Sequence, residues 1–210
     1  SMNRNPRENA GAFGPGSADN CYGNRHGNSA GTVISGNRDI RICVDAMGAD
    51  FAPECALEAA ALALGTDDGL RVQVIGDSTA LDPALARLPA DISARIECVA
   101  ATDYIAMASS PAEALRHGRS SSMALALDRV AEGDADALVS SGNTGALMAL
   151  ARYRLGTLPG IERPALMTEL PVVGGSAWVL DLGANIGVDA ERLAEFAVLG
   201  SAAAGALLKR

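Results

Sequence analysis

Short apolar runs alternate with longer amphipathic stretches along most of the chain. The short runs are rich in Val, Ile and Leu and predict β-strands, at 40–44, 70–75, 95–99, 137–140, 164–170 and 177–182. The longer, Ala- and Leu-rich stretches predict helices, at about 53–64, 79–88, 122–131, 144–155 and 191–208, with a short helix beginning at 110–111. Because strands alternate with helices, we expect βαβ units and an α/β protein with a mostly parallel sheet.

The two ends of the chain depart from this pattern. Residues 1–38 are rich in Gly, Asn, Ser and Arg and show no periodicity, so we expect a disordered tail in which Cys21 and His26 are incidental. An α/β domain is expected over 39–210. No closing strand follows its last helix, a pattern that a domain lacking its C-terminal part and a domain ending on a helix explain equally well.

Composition fits this fold and disfavours one large class of partner. Hydrophobic residues make up 49% of the chain and aromatic residues 3%, so short aliphatic side chains must build the core between helices and sheet. The net charge of -8 argues against binding nucleic acid, which needs a clustered positive surface. The basic residues are almost all Arg, with Lys209 as the single Lys, and Arg suits bidentate binding of phosphate or carboxylate.

Cysteine and histidine usage predicts no metal site. The four cysteines and two histidines have neither zinc-site nor C-x-x-C spacing, so we expect free thiols in a reducing cytosol. No apolar run reaches the length of about 18 residues that a spanning helix requires. We therefore expect a cytoplasmic protein.

Candidate chemistry lies in three strand-to-helix loops, because ligands of parallel sheets bind beyond the carboxyl ends of the strands. The first loop, 44–53, contains Asp45 at the strand end, then Gly48, and Asp50 near the helix start. A turn with Asp50 as the N-cap explains this pattern as well as a pair of carboxylates that order a ligand loop.

The second loop runs from a strand through Gly142, Asn143, Thr144 and Gly145 into a helix. Backbone N–H groups at a helix start attract anions, glycines let a phosphate approach the backbone, and Asn and Thr add side-chain donors. We therefore predict an anion site, with a capped turn as the structural alternative. The loop does not match the Walker pattern of nucleotide-binding proteins.

The third loop, 180–185, again places a carboxylate and an amide after a strand. Asp181 could orient a neighbouring donor and Asn185 could bind a carbonyl or phosphate oxygen, or both could belong to a structural turn. In addition, Ser121 and Ser122, preceded by Arg119, could cap a helix or hold an anion. No G-x-S-x-G elbow and no complete G-x-G-x-x-G after a strand is present, which disfavours a serine hydrolase and an ordinary dinucleotide-binding dehydrogenase.

Several segments together resemble a known family. They are VDAMGAD at 44–50, SSPAEALR at 109–116, SSM at 121–123, SGNTGALMALA at 141–151, LGTLPGIERPA at 155–165 and LDLGAN at 180–185. Each segment alone is a weak match to the family, but the order and spacing of all six together are specific to it. From about residue 40 to 208, the chain resembles the N-terminal portion of the PlsX family, the phosphate acyltransferases of membrane-lipid synthesis.

The resemblance implies a three-layer α/β/α sandwich like that of isocitrate and isopropylmalate dehydrogenases, assembled as a homodimer. It implies an acyltransferase that converts acyl-acyl-carrier-protein and inorganic phosphate to acyl phosphate for phosphatidic acid synthesis. The implied partners are acyl carrier protein and inorganic phosphate, with no cofactor and no nucleic acid. It also implies peripheral membrane association through a part of the family that lies beyond this chain.

The resemblance and the loop chemistry together assign roles to the candidate residues. The catalytic candidates are Asn185, as a donor to the oxyanion or the phosphate, and two carboxylates that order the loops, Asp45 and Asp181. The candidates for binding phosphate are Gly48, Asp50, Ser121, Ser122, Gly142, Asn143, Thr144 and Gly145. Carboxylates that faced the phosphate directly would repel it, so an ordering role suits Asp50 too.

Two departures from the family pattern leave an alternative open. Ala49 replaces a glycine, and Asp189 replaces a lysine near the expected phosphate site. Asp189 and the shorter chain favour a truncated, non-catalytic remnant that binds phosphate or an acidic carrier protein. Candidate residues for the acidic partner are Arg116, Arg119, Arg152, Arg154 and Arg163. A metal- and nicotinamide-dependent decarboxylating dehydrogenase would need an Arg-rich loop and metal carboxylates, which this sequence does not assemble.

Overall fold

The computed structural model describes residues 39–48 and 53–207. The strands are β1 (Ile40–Asp45), β2 (Leu70–Gly76), β3 (Ile96–Ala100), β4 (Ala137–Ser140), β5 (Met167–Val172) and β6 (Gly175–Leu180). The helices are α1 (Glu54–Leu64), α2 (Ser78–Leu85), α3 (Ala90–Ser93), α4 (Pro111–His117), α5 (Ser122–Glu132), α6 (Thr144–Leu155) and α7 (Ala190–Leu207). The predictions for the 1–38 tail and for Cys21, His26, Ala49 and Asp50 lie outside the described residues.

The first four strands form one parallel sheet in the order β3-β2-β1-β4. The chain moves from β1 outward through β2 to β3, and then returns to the other side of β1 to form β4. The strand order therefore reverses between the neighbouring strands β1 and β4. This is the switch point at which open parallel sheets bind their ligands.

Helices cover both faces of this sheet because alternate strand residues point to opposite sides. On one face, Val72 and Val74 of β2 are buried in a cluster with residues of α1, α2 and α3. On the other face, Cys43 of β1 and Ile75 of β2 are buried with residues of α5. The predicted α/β class and mostly parallel sheet are confirmed, and most elements lie within a few residues of their predicted bounds.

A third cluster holds α6 in place beside the sheet edge. Met123 and Leu127 of α5 and Leu150 of α6 are buried together with Ala114 of α4. Ser110 caps α4 in a full capping box with Glu113, which fixes where that helix begins. The packing of α4 and α5 against α6 therefore determines where the N-terminus of α6 points, next to the end of β4.

The last two strands differ most from expectation. They form a separate antiparallel hairpin, and each lies two or three residues nearer the turn than the sequence suggested. Gly174 has a φ of 89°, and this positive φ permits a tight turn that lets pairing continue to Val172 and Gly175. Among the described residues, no helix is both long and apolar enough to cross a membrane.

Candidate functional site

Asp45 joins three chain segments at the carboxyl edge of the sheet. Its side chain is 3% exposed and lies at the end of β1. The Ser122 hydroxyl at the start of α5 donates to Oδ1 at 2.6 Å, and the Ser140 hydroxyl at the end of β4 donates to Oδ2 at 2.8 Å. The backbone N–H of Met47 also donates to Oδ1 at 3.3 Å. Within the described residues no cation pairs with Asp45, so these donors compensate its charge.

Two glycines let the loops after β1 and β4 touch through their backbones. A Cβ added to Gly48 would lie 2.7 Å from the Cα of Gly142, and one added to Gly142 would lie 3.2 Å from the Cα of Gly48. The N–H of Gly142 donates to the Ser140 hydroxyl at 3.1 Å, which links this contact to Asp45. Gly142 was predicted to let a phosphate approach, and in the structure the backbone that approaches it is that of Gly48.

Asn143 is committed to contacts within the protein. Its Oδ1 accepts from the N–H of Ala146 at 3.0 Å and so caps α6. Its Nδ2 donates to the carbonyls of Met107 and Ser109 at 2.9 and 2.8 Å, and more distantly to Ala106 at 3.4 Å. The side chain therefore fastens the 106–109 segment to the start of α6, a positioning role rather than an exposed donor.

The groups that stay open for an anion at this helix are mainly backbone ones. The N–H groups of Thr144 and Gly145 belong to the first turn of α6 and have no acceptor within the helix. Thr144 is exposed, so its hydroxyl also faces solvent. A helix N-terminus with free N–H groups favours negative charge.

The two serines before α5 are buried and hydrogen-bonded. Ser121 is the N-cap of α5, accepting from Ala124 N–H at 3.3 Å and donating to the Gly118 carbonyl at 2.7 Å. Ser122 donates to Asp45, as described above. Both hydroxyl protons are thus committed to the protein itself, which matches the capping interpretation of this segment.

The loop after β6 is closed by Asp181 and Asn185. The Asp181 carboxylate accepts from both the backbone N–H and the side-chain amide of Asn185, and the same amide donates to the Pro164 carbonyl at 3.1 Å. Asp181 and Leu182 have positive φ values of 73° and 45°. Each such residue costs about 1–2 kcal/mol of strain, so the hydrogen bonds of Asn185 hold a strained turn.

One cavity of about 320 Å³ connects the start of α6 with this strained turn. It is lined by Pro111, Gly145, Met148, Ala149, Arg152, Arg163, Pro164, Ala184, Asn185 and Ile186. Of the predicted site residues, Gly145 and Asn185 thus share one cavity. Asp45, Gly48, Ser122 and Gly142 instead form a hydrogen-bonded and packed cluster at the sheet edge.

The structure gives a position to two features whose role the sequence did not predict: a pair of arginines at the cavity and the carboxylate of Asp189. Arg152 and Arg163 were considered only as surface charge for an acidic partner, and they line this cavity. Asp189, which seemed out of place near a phosphate site, accepts from the N–H of Arg192 at 2.9 Å at the start of α7. Its carboxylate therefore suits the positive end of that helix.

Comparison with known proteins identifies the family. Residues 40–209 match the family described as fatty acid synthesis protein. The chain belongs to this family. A phosphate acyltransferase of Aliivibrio fischeri is 46% identical over 174 residues, which cover 82% of this chain and 51% of that protein.

Other relatives give the same result. A phosphate acyltransferase of Stutzerimonas stutzeri is 47% identical over 166 residues, covering 79% of this chain and 47% of that protein. One from Vibrio campbellii is 46% identical over 168 residues, covering 80% and 49%. The resemblance inferred from the motifs is confirmed, and the chain spans about half the length of the curated relatives it matches.

Proposed function

We propose that this chain takes part in the synthesis of acyl phosphate from acyl-acyl-carrier-protein and inorganic phosphate, a step toward phosphatidic acid. The observation that carries the proposal is the first turn of α6. The N–H groups of Thr144 and Gly145 have no acceptor within the helix, and Gly145 lines a cavity that Asn185 also lines. An anion held there would sit beside a space large enough for part of an acyl thioester.

The reaction needs no nucleophile from the protein, because phosphate itself attacks. A phosphate oxygen bonds to the thioester carbonyl carbon, and the carbonyl oxygen becomes an oxyanion. The carbon–sulfur bond then breaks, and the thiolate takes the proton of the attacking hydrogen phosphate. The products are acyl phosphate and the free thiol of the carrier. The protein contributes orientation and donors to developing charge.

Within this proposal, phosphate is bound by the Thr144 and Gly145 N–H groups and the Thr144 hydroxyl. Asn143 acts as a positioning residue, since its amide already binds the 106–109 backbone. Asn185 donates to the oxyanion by exchanging its contact with the Pro164 carbonyl for one with the substrate. Asp181 would keep the amide aligned during that exchange through the side-chain hydrogen bond they share.

The Asp45 cluster serves as the frame of the proposed site. It joins the ends of β1 and β4 to the start of α5, and it fixes Gly142 immediately before α6. A preorganised frame lowers the barrier because the donors do not have to be rearranged as charge develops. Asp45 is therefore expected to influence turnover without touching substrate.

The decisive experiment measures thioester consumption and acyl phosphate formation by the purified chain with long-chain acyl-acyl-carrier-protein. Phosphate is omitted in the control. We expect turnover only when phosphate is present. Thioester loss at the same rate with and without phosphate would contradict the proposal, as would a folded sample that consumes no thioester.

A matched pair of variants tests the phosphate site within that assay. Thr144→Val should raise the KM for phosphate roughly two- to tenfold, the effect of losing a hydrogen bond worth about 0.5–1.5 kcal/mol. Thr66→Val is the control, because its hydroxyl donates to the Ala63 carbonyl near the end of α1. Equal phosphate KM values for the two variants would remove the Thr144 hydroxyl from the site.

Finer features of the family extend the proposal. The sheet with helices on both faces supports a three-layer arrangement like that of isocitrate and isopropylmalate dehydrogenases. A homodimer, a cytoplasmic location and peripheral contact with a membrane belong to the same proposal. Sedimentation of the chain and of its longer relatives would test the dimer, and co-sedimentation with lipid vesicles would test the membrane contact.

The second candidate function is binding of phosphate or carrier protein without turnover. Binding of either ligand by a folded sample that forms no acyl phosphate would support this alternative.

A further inference from the structure

The cavity beside α6 has one wall made from a single helix face. Gly145, Met148, Ala149 and Arg152 follow each other at the spacing that places residues on one side of a helix. Gly145 lies in the first turn of α6 and Arg152 two turns later. The rise of about 1.5 Å per residue separates their Cα positions by about 10 Å along the axis.

Two guanidinium groups at this cavity have no partner. Among the described residues, neither Arg152 nor Arg163 forms a side-chain hydrogen bond or an ion pair, and both are exposed. By contrast, Arg154 pairs with Asp128 at 2.8 Å and donates to the Arg119 carbonyl at 2.9 Å. Unpaired guanidinium groups that share a cavity suit bidentate binding of an oxyanion such as a phosphate ester.

The surface between the two polar regions is apolar. Met148 and Ala149 line it on α6, and Pro164 and Ile186 line it on the opposite wall. Ile186 is 90% exposed, so its side chain offers apolar surface that the described residues do not cover. The ligand that fits is elongated, largely uncharged along its length, and anionic at one end.

We propose that this cavity binds the phosphopantetheine arm of the acyl thioester, with the arm phosphate on Arg152 and Arg163 and the thioester toward the start of α6. This assignment rests on the proposed function for its substrate class. It separates two anion sites: the attacking phosphate lies at Thr144 and Gly145, and the arm phosphate lies at the arginine pair. It also selects two of the five arginines that the sequence offered for an acidic partner.

The test compares two small probes, an acyl-phosphopantetheine thioether and its dephosphorylated counterpart, by titration calorimetry. We expect the Arg152→Ala, Arg163→Ala double variant to bind the phosphorylated probe at least about tenfold more weakly, as loss of charge-assisted hydrogen bonds implies. Binding of the dephosphorylated probe should change less than about twofold. Raising the salt concentration should weaken binding of the phosphorylated probe only, because salt screens the charge of exposed arginines.

Arg87→Ala is the matched control. Arg87 is likewise exposed and makes no side-chain hydrogen bond or ion pair among the described residues, but it lines a different groove between α1 and α2. It should leave the affinity for both probes unchanged. The proposal is overturned if neither probe binds, or if the double variant loses the same affinity for both probes. It is also overturned if the double variant and Arg87→Ala have the same effect on binding. Displacement of the phosphorylated probe by inorganic phosphate as effectively as by phosphopantetheine would overturn it too.

Turnover separates this proposal from the proposed function. If the chain makes acyl phosphate and the double variant keeps the KM for acyl-carrier protein, the cavity assignment fails and the reaction stands. If the phosphorylated probe binds in an arginine-dependent way but no acyl phosphate forms, the reaction fails and the binding site stands. Thermal unfolding of each variant verifies that the folded state is retained.

Discussion

Replacing Asp45 by Asn tests the hydrogen-bond network at the end of β1. The substitution keeps the size of the side chain and removes its charge. Two hydroxyls, those of Ser122 and Ser140, donate to the carboxylate at 2.6 and 2.8 Å. A hydrogen bond to a charged group contributes about 1.5–3 kcal/mol, against about 0.5–1.5 kcal/mol for a neutral one.

Each of the two bonds is thus weakened by about 1 kcal/mol, on the difference between charged and neutral hydrogen bonds. We expect Asp45→Asn to lower the free energy of unfolding by about 2 kcal/mol. For a chain of this length, that corresponds to a fall in Tm of about 4–8 °C. Urea unfolding followed by circular dichroism, with a thermal scan beside it, measures both quantities.

Asp39→Asn is the control for charge loss alone. Asp39 pairs with Arg71 at 2.7 Å, but both side chains are nearly half exposed, and such pairs contribute about 0–1 kcal/mol. A double-mutant cycle of Asp45→Asn with Ser122→Ala should show a coupling energy above about 0.5 kcal/mol. The reasoning is refuted if Asp45→Asn is no more destabilising than Asp39→Asn, or if the cycle is additive.

Three further predictions follow from other contacts. Gly48→Ala should destabilise the fold and lower turnover, because the added Cβ would lie 2.7 Å from the backbone of Gly142. Gly175→Ala is the control, since a Cβ there meets nothing within 4 Å. Urea unfolding of the two variants should show a loss of stability for Gly48→Ala alone. Asn143→Ala should cost about 1–2 kcal/mol of stability through the lost cap and reduce kcat/KM at low phosphate, and an unchanged rate there would remove Asn143 from the site. Burial raises the pKa of the Cys43 thiol to about 11, so peptide-resolved alkylation at pH 8 should modify exposed Cys55 much faster than Cys43; equal rates would contradict the burial.

The elements that the sequence predicted well are those with local signals. The α5 helix was expected at 122–131 and spans Ser122–Glu132, because a serine cap and a glycine at its end are both readable from adjacent residues. The hairpin was displaced by two or three residues because the position of its turn depends on Gly174 adopting a positive φ, which the sequence VVGG leaves ambiguous.

The candidate site was located by sequence but its contacts were not. Loops at strand ends gave the right places, since parallel strands bring their carboxyl ends to one edge. The carbonyls that bind Asn143 lie 36 and 34 residues earlier in the chain, and the hydroxyl that reaches Asp45 from Ser122 lies 77 residues away. Pairings at that separation depend on how the helices pack, which periodicity does not determine.

The contact between Gly48 and Gly142 has a consequence for how this site can diversify. Two backbones in contact leave no side chain to exchange, so the spacing between the β1 and β4 loops cannot be tuned by point substitution without separating the loops. The cavity beside α6 is built differently, from side chains that end in solvent. Substitutions at positions such as Met148 and Ile186 should therefore change which ligand the cavity accepts while the protein still folds, whereas libraries that vary either glycine should yield few folded members.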